Sequence, residues 1–127
     1  MEPRFLSLSE IIEIHQDQID RYGGSGGLRD LGLLQSAAAM PAAMFGGKYL
    51  HTDLCEMAAA YLFHLVQNHP FIDGNKRVGA VAADVFLSLN DKLLQASEEN
   101  YENLVMSVAS GAMTKPAVAD FFRKNTA

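Results

Sequence analysis

His69-Pro70-Phe71-Ile72-Asp73-Gly74-Asn75-Lys76-Arg77 joins two apolar runs, and how that join is read decides the fold. Before it, Leu54, Met57, Ala58, Tyr61, Leu62 and Leu65 recur at helical spacing, with Cys55, Ala59 and Val66 widening the face. After it, Val78, Val81, Ala82, Val85, Phe86 and Leu89 form a second stripe, widened by Ala80, Ala83 and Leu87. A helix apolar on most sides is a buried one, so the spacing predicts a central hairpin of helices over 54–68 and 77–89. Pro70 disfavours the helical region at His69 and stops the first helix. Asp73-Gly74-Asn75 is turn chemistry, with Gly74 free to take a positive φ. The helix N-terminus that follows offers unpaired N–H groups and the positive end of a dipole, which suit an anion. An imidazole, a carboxylate, an amide, an ammonium and a guanidinium lie within those nine residues. Histidine can take a proton, aspartate can hold a divalent cation, and lysine and arginine can neutralise phosphate oxygens.

Outward from this hairpin the remaining elements are also helical. Ser7 with Glu10 is a capping box opening a helix through Ile11, Ile12, His15, Ile19 and Tyr22, which Gly23-Gly24 ends. His15 lies on that stripe and is read as a packing residue. Residues 23–30 read as a flexible connection, since neither G-x-G-x-x-G nor G-x-x-x-x-G-K-[ST] fits the glycines. Asp30 can cap a second helix, Leu31 to Met40, that Pro41 would end or kink. Residues 41–52 are expected to be irregular, and Asp53 with Glu56 reads as a second capping box. Beyond the hairpin, Ser97 caps a helix with Tyr101, Leu104, Val105 and Val108, ended by Gly111. Thr114 caps a last one, with Pro116 in its first turn and Val118, Phe121 and Phe122 inward. No strand, internal repeat or low-complexity linker is expected. The fold class predicted is all-α, one domain over 1–127, a bundle of about six helices.

With 127 residues, 49% of them hydrophobic and 20% charged, the chain can bury a substantial core. A net charge of −5 provides no positive field for nucleic acid, so a protein or small-molecule partner fits better. Cys55 is the single cysteine, which rules out an internal disulfide and suits a reducing compartment; it is read as inert packing. His64 and His69 are not at the spacing of a helical metal pair. No apolar run approaches the roughly 20 residues of a membrane span, and Met1-Glu2-Pro3-Arg4 does not open like a signal peptide. A cytoplasmic location is the expectation.

His69, Phe71, Asp73, Gly74, Asn75, Lys76 and Arg77 fill every defined position of H-x-F-x-[DE]-[GA]-N-[GK]-R, so the chain resembles the Fic/Doc family. Capping alone would need neither the Phe nor the Lys-Arg pair. Lys76, with Arg21-Tyr22-Gly23-Gly24, Gly27-Leu28-Arg29-Asp30, Gly32-Leu33-Leu34 and Phe45-Gly46-Gly47, looks like the death-on-curing (Doc) branch of toxins. The resemblance implies an all-α domain, with a target-positioning flap ahead of the central helix. It implies transfer of a phosphate-containing group from ATP to a protein hydroxyl. His69 is then the general base and Asp73 the Mg²⁺ ligand. Gly74 and Asn75 sit against the phosphates, and Lys76 and Arg77 are both phosphate-binding and catalytic, stabilising transferred charge. Phe71 anchors the motif.

Fic adenylyltransferases usually carry a second Arg three residues after the first; here that position is Ala80. Together with Lys76, this matches the Doc pattern, which is associated with phosphorylation of elongation factor Tu and translation arrest. AMP transfer is the alternative within the family, and a non-catalytic module that sequesters a partner is the alternative outside it. Self-restrained Fic proteins carry [ST]-x-x-x-E-[GN]; Thr52 to Glu56 has the spacing, but Met57 follows. Restraint in trans by a small Phd-type antitoxin is therefore expected.

Overall fold

The computed structural model describes residues 2–127. Six α-helices run in order: α1 (Leu8–Tyr22), α2 (Leu31–Ala39), α3 (Leu54–Asn68), α4 (Asn75–Leu89), α5 (Glu98–Ala109) and α6 (Lys115–Lys124). The all-α expectation holds. Each predicted cap is present: the Ser7, Asp30, Asp53, Ser97 and Thr114 side chains each accept the backbone N–H of the residue three positions on. At α1 the capping box is reciprocal, with Ser7 Oγ accepting from Glu10 N at 3.1 Å and Glu10 Oε1 accepting from Ser7 N at 2.8 Å. The expected box at α3 is only half formed. Asp53 accepts from Glu56 N at 2.7 Å, but the Glu56 carboxylate turns to Thr52 N and Oγ1 and to Arg123. The guanidinium attracts that carboxylate more strongly than a backbone N–H does.

α3 is the central element, packed against α2, α4, α5 and α6. Nine of its fifteen residues are buried, from Cys55 to Val66. α4 lies close against it because Gly79 faces Val66 and Leu62; a Cβ there would meet Val66 Cγ2 at 2.8 Å and the Leu62 carbonyl at 3.2 Å. α4 begins two residues earlier than the apolar stripe indicated, at Asn75. On α1 the buried face is Ile11, His15 and Ile19, while Ile12 and Tyr22 turn outward. Pro41 ends α2 as expected, sitting in a 3₁₀ turn at Met40–Ala42.

Two expectations are corrected. The 41–52 segment is not wholly irregular: Met44–Phe45 (β1) and Lys48–Tyr49 (β2) form an antiparallel hairpin across Gly46-Gly47. Both turn glycines have positive φ, the geometry of a tight two-residue hairpin. The 23–30 segment is not a loose connection either. Leu28 bridges Phe71, Pro70 O accepts from Arg29 N at 2.8 Å and Asp30 N at 3.0 Å, and Gly27 O accepts from Ile72 N at 3.1 Å. It is a strap hydrogen-bonded along the motif turn.

Candidate active site

The motif occupies the turn between α3 and α4. α3 stops at Asn68, and His69 takes the left-handed conformation at φ 49°, ψ 54°. Pro70, which disfavours the helical alternative at His69, supplies no N–H to close the helix end. Phe71 is 2% exposed, its ring stacked on His15 with centroids 3.8 Å apart and planes 6° from parallel. Gly74, at φ 79°, lets the chain turn into α4 with no side chain capping the helix. The first-turn N–H groups of α4 are thus left for an external acceptor.

Asn75 holds this turn from within. It is 8% exposed, and its carboxamide grips both backbone groups of Phe71: Oδ1 accepts from Phe71 N at 2.9 Å and Nδ2 donates to Phe71 O at 3.0 Å. Nδ2 also lies 3.5 Å from His69 Nδ1, a long contact in which the amide N–H can only donate to the ring nitrogen. The amide expected to meet phosphate is committed to shaping the loop. His69 itself is exposed.

Asp73 and Arg77 lie against the strap. Asp73 Oδ2 accepts from Ser25 N at 3.1 Å and Oδ1 from Gly74 N at 2.8 Å. These two N–H groups, with smaller attraction from Arg77 and His15, hold the Asp73 carboxyl below the ordinary carboxylate value, so it is charged. Arg77 Nη1 donates to Gly23 O at 2.8 Å and reaches Gln18 O at 3.4 Å. Gly24 comes so close that a Cβ there would stand 2.6 Å from Asp73 Oδ2 and 2.9 Å from Arg77 Nη2. Lys76 is exposed and takes part in no ion pair among the described residues. One turn beyond Arg77, the Ala80 carbonyl accepts from the Tyr101 hydroxyl at 2.6 Å.

A divalent cation fits Asp73 in one respect. The carboxylate is exposed and charged, and each oxygen accepts a single N–H, so each keeps a further lone pair. Among the described residues no three His, Cys, Asp or Glu groups converge to enclose a metal. An ion here would rest on one carboxylate, phosphate oxygens and water, a set that Mg²⁺ accepts.

Two residues at this site were not read as such from the sequence. His15, taken for packing, is 3% exposed and its Nε2 donates to the Asp73 carbonyl at 2.7 Å. Arg29 reaches back to the end of α3, where Nε donates to His69 O at 2.6 Å and Nη2 to Asn68 O at 3.0 Å. Cavities of about 320 Å³, beside His51 and Lys115, and about 500 Å³, beside Thr52 and Lys92, contain no motif residue. The converging donors and charges, not enclosed volume, make the turn the candidate site.

Residues 5–87 match the model of the Fic/DOC family. The chain is 33% identical over 121 residues to the protein kinase doc of Escherichia phage P1, covering 95% of this chain and 94% of that one. It is 40% identical over 91 residues to the toxin Doc of Mycolicibacterium smegmatis (strain ATCC 700084 / mc(2)155), covering 70% of each. No helix among the described residues is long and apolar enough to cross a membrane. A family match that runs through the motif and both of its flanking helices, beside relatives of these two names, makes this chain a member of the Fic/DOC family in its death-on-curing branch.

Proposed function

We propose that residues 1–127 act as one Fic/Doc domain, a toxin that transfers the γ-phosphoryl group of ATP to a hydroxyl of a cytoplasmic translation protein, by resemblance elongation factor Tu. The observation that carries this reading is the complete motif combined with Ala80, which puts no second guanidinium one turn into α4. The name of the phage relative, which matches along nearly its whole length, points the same way.

In this reading His69 takes the hydroxyl proton as the oxygen bonds to the γ-phosphorus, the bond to the β,γ-bridging oxygen breaks, and ADP leaves. Imidazole suits the task because its ordinary pKa lies near neutrality. The uncapped N–H groups of α4 and the exposed Lys76 ammonium meet the phosphate oxygens as charge spreads over them. Arg77, anchored to Gly23, completes that positive wall. Asp73 is the residue that would hold Mg²⁺, which supplies charge neutralisation on the phosphates when bound. Gly74 keeps the backbone close to the phosphates, and Asn75 and Phe71 fix the shape of the loop. The hairpin β1–β2, with Phe45 85% exposed at its edge, is where a target segment is held.

Restraint comes from outside the chain, from a Phd-type antitoxin. Thr52 to Glu56 has the spacing of an internal inhibitory segment, but it is bound up with itself and with Arg123, beside a cavity that contains no motif residue. The test is induction of the chain in a bacterial host without a partner. The parent should arrest growth. His69→Ala should fold with an unchanged Tm, lose roughly 10²–10⁴-fold in transfer rate and permit growth. A fully toxic His69→Ala chain would refute the reading.

A further inference from the structure

His69 is held in a conformation that a residue with a side chain seldom adopts, and the usual means of closing such a helix end is missing. When a helix ends on a left-handed residue, the next N–H commonly folds back onto the last carbonyls. Here the next residue is Pro70, which has no N–H. The carbonyls of Asn68 and His69 instead take the two arms of one guanidinium, from Arg29, forty residues earlier in the chain. A fork of fixed geometry spans two carbonyls in a way a single ammonium does not. Its charge also lies at the negative end of the α3 dipole.

The strap holds Arg29 in place. Its own N–H donates to Pro70 O, the neighbouring Leu28 bridges Phe71, and Asp30 is fixed as the α2 cap. On the other side of the turn, Asn75 reaches the His69 ring. The backbone carbonyl of His69 is therefore gripped by the strap while its imidazole is touched from α4. Arg29 is exposed, so it contributes little to the core.

We propose that Arg29 is a positioning residue for His69: acting on the backbone of the α3 terminus, it fixes where the imidazole stands. This rests on the reading above that His69 is the base. Loss of the fork lets the Asn68–His69 carbonyls rotate and the ring drift, and a displacement of about 1 Å at a reacting group can cost about 10²-fold in rate.

The test compares the parent, Arg29→Ala and Arg29→Lys as full chains, with two readouts. The first is the NMR signals of the His69 imidazole in the chain alone, identified by their absence from His69→Ala. The second is kcat and KM for ATP. Arg29→Ala should shift or broaden the His69 signals and lower kcat by about 10²-fold, with KM for ATP held within about twofold. Arg29→Lys, keeping the charge but one contact, should fall between, and added guanidinium ion should restore part of the Arg29→Ala rate. Unchanged His69 signals in Arg29→Ala overturn the proposal. So does a rise in KM at constant kcat, which would make Arg29 a nucleotide contact, and so does parental activity in Arg29→Lys. If the parent transfers no phosphate, the reading of the reaction fails, and the His69 signals alone decide the role of Arg29. If Arg29→Ala does not fold, Arg29→Lys carries both readouts.

Discussion

Gly24→Ala separates the cost of a strained backbone from damage to the site. Gly24 has φ +114°, and a Cβ there would lie 2.6 Å from Asp73 Oδ2, 2.9 Å from Arg77 Nη2 and 3.2 Å from Ile19 Cδ1. The backbone strain of a side chain at such a φ is about 1–3 kcal/mol. A domain of this size is stable by about 5–15 kcal/mol, so the variant folds, with Tm lowered by roughly 5–15 °C. The two closest atoms are ends of flexible side chains and move aside without a large further penalty. The carboxylate oxygen must retreat by about 0.7 Å to reach an ordinary C···O separation of about 3.3 Å. That is enough to break its 3.1 Å bond to Ser25 N, whose loss raises the Asp73 pKa toward the ordinary value. Transfer should then fall by about 10²-fold. Gly23→Ala is the control: φ is +83°, but a Cβ there meets nothing within 4 Å. It should lose similar thermal stability and retain activity. The assays are thermal unfolding by circular dichroism and the initial rate of label transfer from ATP. Equal activity in the two variants would refute the claim that Gly24 is small because Asp73 and Arg77 need the space.

Two further outcomes follow from histidines, His15 buried and His64 half-buried. His15→Phe keeps the stack on Phe71 but removes the donor to the Asp73 carbonyl, so urea unfolding should show about 1–3 kcal/mol of lost stability; parental stability would mean the bond contributes nothing. Burial, then Lys115 and His51, push the His64 pKa down to about 4 from the model-peptide value of 6.5. The unfolded chain therefore takes up a proton below pH 6.5 that the folded chain refuses until about pH 4. This contribution is intact above pH 6.5 and lost as the pH falls through that window. His64→Gln should flatten the stability-versus-pH curve between those values, and an unchanged slope would contradict the assignment.

Much of this was legible in the sequence because helices announce themselves locally. The stripes of α3 and α4, the capping side chains and Pro41 depend on neighbours within four residues. The β1–β2 hairpin was missed because two-residue strands are too short to show alternation, although Gly46-Gly47 was a turn signal. The motif residues were legible as chemistry, but their division of labour was not. Asn75 could equally have met a phosphate; only the positions of the Phe71 backbone groups show its amide engaged. His15 occupies a place on the α1 stripe that an isoleucine could fill, and its partner Asp73 is 58 residues away. The strap carried no side-chain pattern, because its order comes from backbone pairing with Pro70 and Ile72. Long-range main-chain pairing leaves little trace in composition.

The central claim is the identity of the group transferred. The most direct measurement incubates the chain with elongation factor Tu, Mg²⁺ and ATP labelled at either the α or the γ phosphorus, with His69→Ala in parallel. The account predicts label on the target from the γ position alone, dependent on His69. Label from the α position would contradict it and make the chain an adenylyltransferase despite Ala80.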